Sequence, residues 1–189
     1  IVWQGHPSGV NDALVTKHLE GALTKPLYEW DGAAKKIKGA VLDGQFGKAL
    51  AEAAKLAEKD PFGEEAGRIV RQVLESRVAS LEAAIEKGDV LTAYEGSKAL
   101  AKGLKGLPEQ ERVEAITKRI SKDKELRAQM KAQEKVLKIT AETPRRKKEC
   151  DAQMDALKKL LKGKEGTFVG GQIEAKVLEL FQLKSRLQF

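Results

Sequence analysis

An internal repeat constrains the fold of this chain more strongly than any other feature of its sequence. The stretch around Gly44 matches the stretch around Gly88 at a separation of about 44 residues, a length suited to a two-helix unit. The matching positions are apolar or small: Ile37, Ala40 and Val41 correspond to Leu81, Ala84 and Ile85, and Ala49, Leu50, Leu56 and Ala57 correspond to Ala93, Tyr94, Leu100 and Ala101. Apolar residues at spacings of three and four are typical of helices, and glycine is typical of the turn between them. Each unit is therefore predicted to be an antiparallel helical hairpin.

These hairpins have small residues where two helix backbones would approach closely, and in this they resemble tetratricopeptide-like and related α-solenoid repeats. The period is longer than that of the tetratricopeptide, and the Trp and Gly pattern of that family is absent, so the likeness is one of hairpin style. We predict two hairpin repeats over residues 33–108. Residues 164–189 are predicted to form a C-terminal helix, a degenerate third repeat in which Phe168 takes the place of Phe46.

A pair of heptad-like apolar seams lies between these repeats. The seams share a 4-3-4 spacing and consist of Leu126, Met130, Gln133 and Leu137, and of Cys150, Met154, Leu157 and Leu161. Such spacing favours two helices packed on each other. Pro144 fits the segment that joins them, because proline breaks a helix interior. Residues 109–163 are therefore predicted to form a basic antiparallel hairpin, and the fold class is a mostly α, solenoid-like bundle of hairpins.

This basic hairpin carries the positive charge of the chain. The formal net charge is +7, and residues 118–148 alone contain twelve Lys or Arg against four acidic residues. The cations taken as a candidate interaction surface are Lys118, Arg119, Lys122, Arg127, Lys131, Arg145, Arg146, Lys147 and Lys148. A solvated helix surface is the simplest interpretation, and binding to an acidic protein is the next. Binding to nucleic acid or an anionic membrane stays open, although no aromatic residue between Tyr94 and Phe168 offers bases a stacking surface.

The residues that could carry chemistry are few. Cys150 is the only cysteine, so no internal disulfide can form. Its place in an apolar seam favours a packed thiol, while the cations at 145–148 would make an exposed thiol reactive. His6 and His18 have no partners at metal-ligand spacing, so the sequence predicts neither a metal site nor a cofactor. No catalytic residue is predicted, and no apolar run reaches the roughly 20 residues that cross a bilayer.

The opening stretch, IVWQGHPSGVNDALVTKHLEGAL, has a different character from the rest of the chain. Ile1, Val2 and Trp3 favour a β-strand, and an apolar stripe predicts a helix from Asn11 to Leu23. A lone strand is unstable in water, so this one is expected to pair with a strand outside the given sequence. The strand and helix resemble the C-terminal end of thioredoxin-like proteins of the redoxin type.

The resemblance implies that residues 1–24 are the last strand and helix of a thioredoxin-like α/β domain, followed by a linker at 25–32. Trp3, Tyr28 and Trp30 are then expected to fill the junction with the first hairpin. The resemblance also implies that the Cys-x-x-Cys motif and the cis-proline of any thiol–disulfide oxidoreductase lie upstream of Ile1. It further implies an extracytoplasmic location, such as the periplasm.

Three functional hypotheses follow from these observations. The first is the C-terminal portion of an extracytoplasmic thioredoxin-like protein, with a helical extension that serves protein interaction or assembly. The second is a free-standing helical repeat scaffold. The third is a basic helical binder of nucleic acid or anionic surfaces through residues 118–148. An enzyme that acts within these residues alone is the least favoured class.

Overall fold

A computed structural model describes Trp30, Gly32 and residues 34–187 of the 189-residue chain. These residues form eight α-helices and no strand, which confirms the mostly helical fold class for this part of the chain. The helices are α1 (Ala34–Leu42), α2 (Phe46–Ala57), α3 (Phe62–Lys87), α4 (Val90–Ala101), α5 (Glu109–Lys122), α6 (Lys124–Ile139), α7 (Lys147–Leu161) and α8 (Phe168–Arg186). The predicted thioredoxin-like strand and helix at 1–24 lie outside the described residues.

The chain divides into two compact units whose boundary crosses two helices. The first unit comprises Ile1–Asp43 and Lys48–Arg71, and the second comprises Gly44–Gly47 and Gln72–Phe189. The boundary therefore falls inside α2 and inside α3. The units are therefore discontinuous in sequence, whereas the segments predicted from the sequence are continuous: 33–108, 109–163 and 164–189. Those segment limits stay predictions.

The described part of the first unit has a core of small and aliphatic side chains. On α1 the buried face consists of Ala34, Ile37, Ala40 and Val41. Trp30 is buried and meets the Phe62 ring edge-on, with the ring centroids 5.4 Å apart. The start of α3 is fixed by Asp60, whose carboxylate accepts a 2.9 Å hydrogen bond from the backbone N–H of Phe62. This agrees with the helix start that an Asp-Pro pair predicts. Trp3 and Tyr28, the other predicted junction residues, lie outside the described residues.

Two apolar clusters in the described part of the second unit position the candidate site. One joins the end of α3 to α4 and α5 through the buried residues Ile85, Val90, Ala93, Ile116 and Ile120. The other joins α6, α7 and α8 through the buried residues Ala132, Val136, Met154, Leu157, Val169, Ile173 and Leu180. Helix α6 contacts α4, α5, α7 and α8, so it is the helix that connects the two clusters.

The turns predicted at Gly44 and Gly88 are present, between α1 and α2 and between α3 and α4. Both glycines have positive φ angles, 73° and 85°, which residues with a Cβ rarely adopt. Small residues also occur where α3 and α4 approach, since a Cβ added at Gly96 would lie 2.6 Å from a methyl carbon of Leu81. The two helices predicted on either side of Gly88 are therefore present, and the Leu81 side chain of α3 lies against Gly96 of α4, where a larger residue would collide with it.

The seam predicted on α6 is partly wrong. Leu137 is 59% exposed, and the buried residues of α6 are Ala132, Gln133 and Val136. The reason is that α6 turns a different face toward α7 and α8: Ala132 and Val136 enter the cluster with those helices, and Leu137 lies outside it. The seam predicted on α7 is confirmed at Cys150, Met154 and Leu157, which are all buried.

The proposed correspondence between Phe168 and Phe46 is limited to their place at a helix start. Both residues begin a helix, but Phe46 is fully buried and Phe168 only half-buried. The buried residues in α8 are Val169, Gly170, Ile173 and Leu180 instead. The physical reason is that the first turn of α8 turns Val169 rather than Phe168 into the cluster with α6 and α7.

Candidate interaction site

The nine cations predicted as an interaction surface lie on three helical elements. Lys118, Arg119 and Lys122 are on α5, Arg127 and Lys131 are on α6, and Arg145, Arg146, Lys147 and Lys148 precede or begin α7. All are exposed except Lys147, which is half-buried. The α5 group is near the start of α6 and the α7 group follows its end, and the 16-residue helix between them is about 24 Å long. The nine residues are therefore not one patch.

A continuous row of cations runs along α6 between these groups. Its members are exposed and lie at spacings of three, four, four and three residues: Lys124, Arg127, Lys131, Lys135 and Lys138. At 100° per residue they occupy an arc of about 80°, and at 1.5 Å per residue they extend over about 21 Å. We call these five residues the α6 row. Lys124, Lys135 and Lys138 were not among the predicted site residues, although their helical spacing was readable in the sequence.

Arginines on α5 differ from the α6 row because carboxylates on α3 neutralise them. The Arg112 guanidinium donates hydrogen bonds to Glu75 at 3.0 Å and to Glu82 at 3.2 Å. These bonds, first to Glu75 and then to Glu82, raise the pKa of Arg112. Arg119 approaches Glu86 at 3.9 Å. In the part of the chain that the structure describes, no residue forms an ion pair with the α6 row.

A groove runs beside these ion pairs on the second unit. It consists of two depressions of about 310 Å³ and 250 Å³ that share Ile85, Glu86 and Arg119. The larger depression continues to Leu126 and Gln129 on α6 and to Phe168 at the start of α8. Leu126 and Phe168 are half-buried, so they give the groove an accessible apolar lining, and Glu86 and Arg119 give it a charged rim. We call it the α3–α6 groove.

Gln133 holds α6 against the turn between α3 and α4. Its carboxamide oxygen accepts a 2.7 Å hydrogen bond from the backbone N–H of Leu91, and its NH₂ group donates a 2.8 Å bond to the carbonyl of Gly88. Gln133 is buried, so these bonds serve two backbone groups at helix ends that have no partner within the helices themselves. The spacing of apolar residues predicts Gln133 only as a member of a seam, and no local signal in the sequence indicates this role.

Cys150 is a free thiol with no exposed surface, and its burial supports the interpretation as a packed side chain. The preceding segment is ordered by Glu149, whose carboxylate accepts hydrogen bonds from the backbone N–H groups of Arg145 at 2.8 Å and Arg146 at 3.2 Å. Among the residues that the structure describes, no group of three or more His, Cys, Asp or Glu side chains could hold a metal ion.

Comparisons with protein-family models, with curated proteins and with solved structures give no match for this chain. Within the described residues, no helix is long and apolar enough to span a membrane.

Proposed function

We propose that this chain is a helical-hairpin repeat module that binds another protein. The observation that carries the proposal is the correspondence of α2 and α4. Each helix has 12 residues, and α4 begins about 44 positions after α2. The first, fourth and eighth residues are buried in both, as Phe46, Ala49 and Ala53 in α2 and as Val90, Ala93 and Ser97 in α4. Repeated hairpins of this kind commonly serve as extended binding surfaces for other macromolecules.

The α3–α6 groove is the surface that we assign to the protein partner. An amphipathic helix of that partner would place apolar side chains over Leu126 and Phe168, as helices do in apolar grooves. The charged rim would orient it, because Arg119 and Glu86, although 3.9 Å apart, stay 60% and 75% exposed and can each also contact a charged group of the partner. Burial of the two half-buried side chains supplies the affinity, and the rim supplies the direction of binding.

Site-specific photo-crosslinking in the native cell tests this proposal. A photoreactive amino acid at position 129, in the groove, is expected to give discrete adducts with one partner protein. The same amino acid at position 137 is the control, since Leu137 is on the same helix but outside the groove and is strongly exposed. Adducts at 137 as abundant as those at 129, or none at 129, would overturn the groove assignment.

The proposal also includes the resemblance of residues 1–24 to the C-terminal end of thioredoxin-like proteins. It rests on Val2, Trp3 and Gly5 and on the helix pattern from Asn11 to Leu23, all outside the described residues. On this proposal the protein is extracytoplasmic, the helical module is an extension used for interaction or assembly, and any thiol–disulfide exchange belongs to residues upstream of Ile1. A protein that includes the upstream sequence would reduce a disulfide substrate such as insulin, and this chain alone would not. Reduction by this chain alone would contradict the assignment.

A further inference from the structure

The α6 row has no structural purpose that the described residues reveal. Ion pairs between helices account for Arg112 and Arg119, but none of the five row residues has a carboxylate partner in the part of the chain that the structure describes. Successive members are three or four positions apart, where like charges repel across a helix surface. Glu134, three positions after Lys131 and four before Lys138, offsets only part of this repulsion. Helix stability alone therefore does not explain the row, and an anion bound along it would relieve the remaining repulsion.

The shape of the row indicates the shape of the anion. Its charges lie on one line of about 21 Å within an arc of about 80°. Glu134 lies just beside that arc and is half-buried, and Glu125 is on the opposite flank. A flat anionic membrane would meet these flanking carboxylates as well as the row. No large apolar side chain lies within the arc to enter a bilayer interface, so a single narrow line of anionic groups on the partner fits better than a flat anionic surface.

The expected binding free energies favour a nucleic acid over an acidic protein helix as the anion bound by the row. An exposed ion pair strengthens association only about one- to five-fold, and five such pairs do not offset the loss of translational and rotational freedom on binding. A nucleic acid differs because each neutralised phosphate releases condensed counterions, which supports dissociation constants of about 10⁻⁴ to 10⁻⁶ M even without sequence recognition. The absence of an aromatic residue on α6 removes base stacking but leaves contact with phosphates intact.

We propose that the α6 row binds the phosphodiester backbone of a double-stranded nucleic acid without sequence preference. This inference goes beyond the proposed function and uses neither the α3–α6 groove nor residues 1–29. Lys and Arg side chains of the row contact successive phosphates of one strand. We expect no sequence preference, because the row consists only of Lys and Arg aimed at phosphates and its arc contains no Asn, Gln or aromatic side chain that would add contacts to bases.

The test measures binding of the full chain to a labelled DNA duplex of about 20 base pairs by fluorescence anisotropy at several salt concentrations. The wild-type chain is compared with the triple variant Arg127→Gln, Lys131→Gln, Lys135→Gln. The matched control is Lys158→Gln, Lys159→Gln, Lys162→Gln, which removes the same charge from exposed positions on and just after α7. Glutamine has a helix propensity close to that of Lys and Arg, so both variants are expected to fold.

For the wild type, the plot of log K against log salt concentration should have a slope of about −4.5, as expected when five phosphates are neutralised. The row variant should give a slope of about −2 and lose at least about tenfold in affinity at about 50 mM salt, while the control stays within about twofold of the wild type. Two DNA duplexes of different sequence should bind equally. An equal loss in both variants would mean that net charge alone causes binding, and it would overturn the proposal.

Three further probes separate the alternatives. An RNA duplex should bind with a similar salt dependence, because the contact is to phosphates. Polyglutamate and vesicles of phosphatidylcholine with phosphatidylglycerol should bind at least about tenfold more weakly than the duplex. Tighter binding to either than to the duplex would overturn the proposal. Failure of this test would leave crosslinking through position 129 unaffected, so the two proposals can fail separately.

Discussion

The carboxamide of Gln133 donates a 2.8 Å hydrogen bond to the carbonyl oxygen of Gly88, 45 positions earlier in the chain. The same side chain accepts a hydrogen bond from the backbone N–H of Leu91 in the first turn of α4. One residue of α6 therefore bonds to both the turn residue Gly88 and the start of α4. The turn belongs to the α3–α4 hairpin, and α6 carries both the cationic row and part of the groove wall. The position of the candidate surfaces therefore depends on this buried polar contact.

Replacement of Gln133 tests that dependence. Gln133→Leu keeps the volume but leaves the Leu91 N–H and the Gly88 carbonyl without a partner, and an unsatisfied buried polar group costs about 1–3 kcal/mol. We expect a loss of that size in the free energy of unfolding, measured with urea. Gln129→Leu, on the same helix and only half-buried, is the control and should change it by less than about 0.5 kcal/mol. Equal effects in the two variants would contradict the role given to Gln133.

Alanine at the two turn glycines should have unequal effects. Both positions have positive φ, which costs a residue with a Cβ about 1–2 kcal/mol. At Gly88 the added Cβ would also lie 3.0 Å from the Cβ of Phe168, whereas at Gly44 it would meet no atom within 4 Å. Gly88→Ala should therefore lower the thermal midpoint more than Gly44→Ala. The opposite order would show that α8 does not start where the structure places it.

Replacement of leucine by alanine at a buried and at an exposed position should have different effects on the free energy of unfolding. Leu157 has no exposed surface, and its replacement by Ala should cost about 2–5 kcal/mol in the free energy of unfolding. Leu137 is 59% exposed, so Leu137→Ala should stay within about 0.5 kcal/mol of the wild type. Comparable losses of unfolding free energy at both positions would mean that Leu137 is buried, as the apolar spacing on α6 predicts.

The thiol of Cys150 should be protected in the folded protein. It has no accessible surface, and a buried thiol reacts slowly with a disulfide reagent such as Ellman's reagent. We expect almost no reaction in native buffer and reaction of the single thiol after unfolding in guanidinium chloride. Native reaction at the rate of free cysteine would favour a reactive thiol.

Charge repulsion within the α6 row should be measurable in stability. Lys131 has a cation four positions before it and another four positions after it, at Arg127 and Lys135. Lys131→Gln removes both like-charge pairs and one attraction to Glu134, three positions after it, so it should raise the free energy of unfolding by about 0.2–0.5 kcal/mol at low ionic strength. Lys158→Gln is the control, because Asp155 and Lys162 place one attraction and one repulsion beside it. The gain at Lys131 should vanish at about 1 M salt, where screening is strong; a gain that persists would have another cause.

Local patterns predicted much of the helical structure. Glycine turns at Gly44 and Gly88 predicted helix boundaries, because such signals act within a few residues. The seam on α7 predicted the burial of Cys150 for the same reason. The exposure of Leu137 was not predictable in this way, since it depends on which face of α6 meets the neighbouring helices in the folded protein.

Less of the candidate site than of the helical structure could be predicted from the sequence. The α6 row can be read from its helical spacing once the cations are sorted by helix face, whereas proximity along the chain alone selects a different set. The groove was not readable, because Glu86, Leu126 and Phe168 come together only through tertiary packing. The same holds for Gln133 and Gly88, which are far apart in sequence and form a hydrogen bond across the fold.

The claim that the chain binds a protein through the α3–α6 groove can be tested most directly by calorimetric titration of the partner crosslinked through position 129. Leu126→Glu, in the groove, should weaken binding at least about tenfold, because a carboxylate would replace an apolar contact. Leu137→Glu, on the same helix and outside the groove, should change the dissociation constant by less than about twofold. Unchanged binding by the Leu126 variant, or an equal loss in both, would contradict the account.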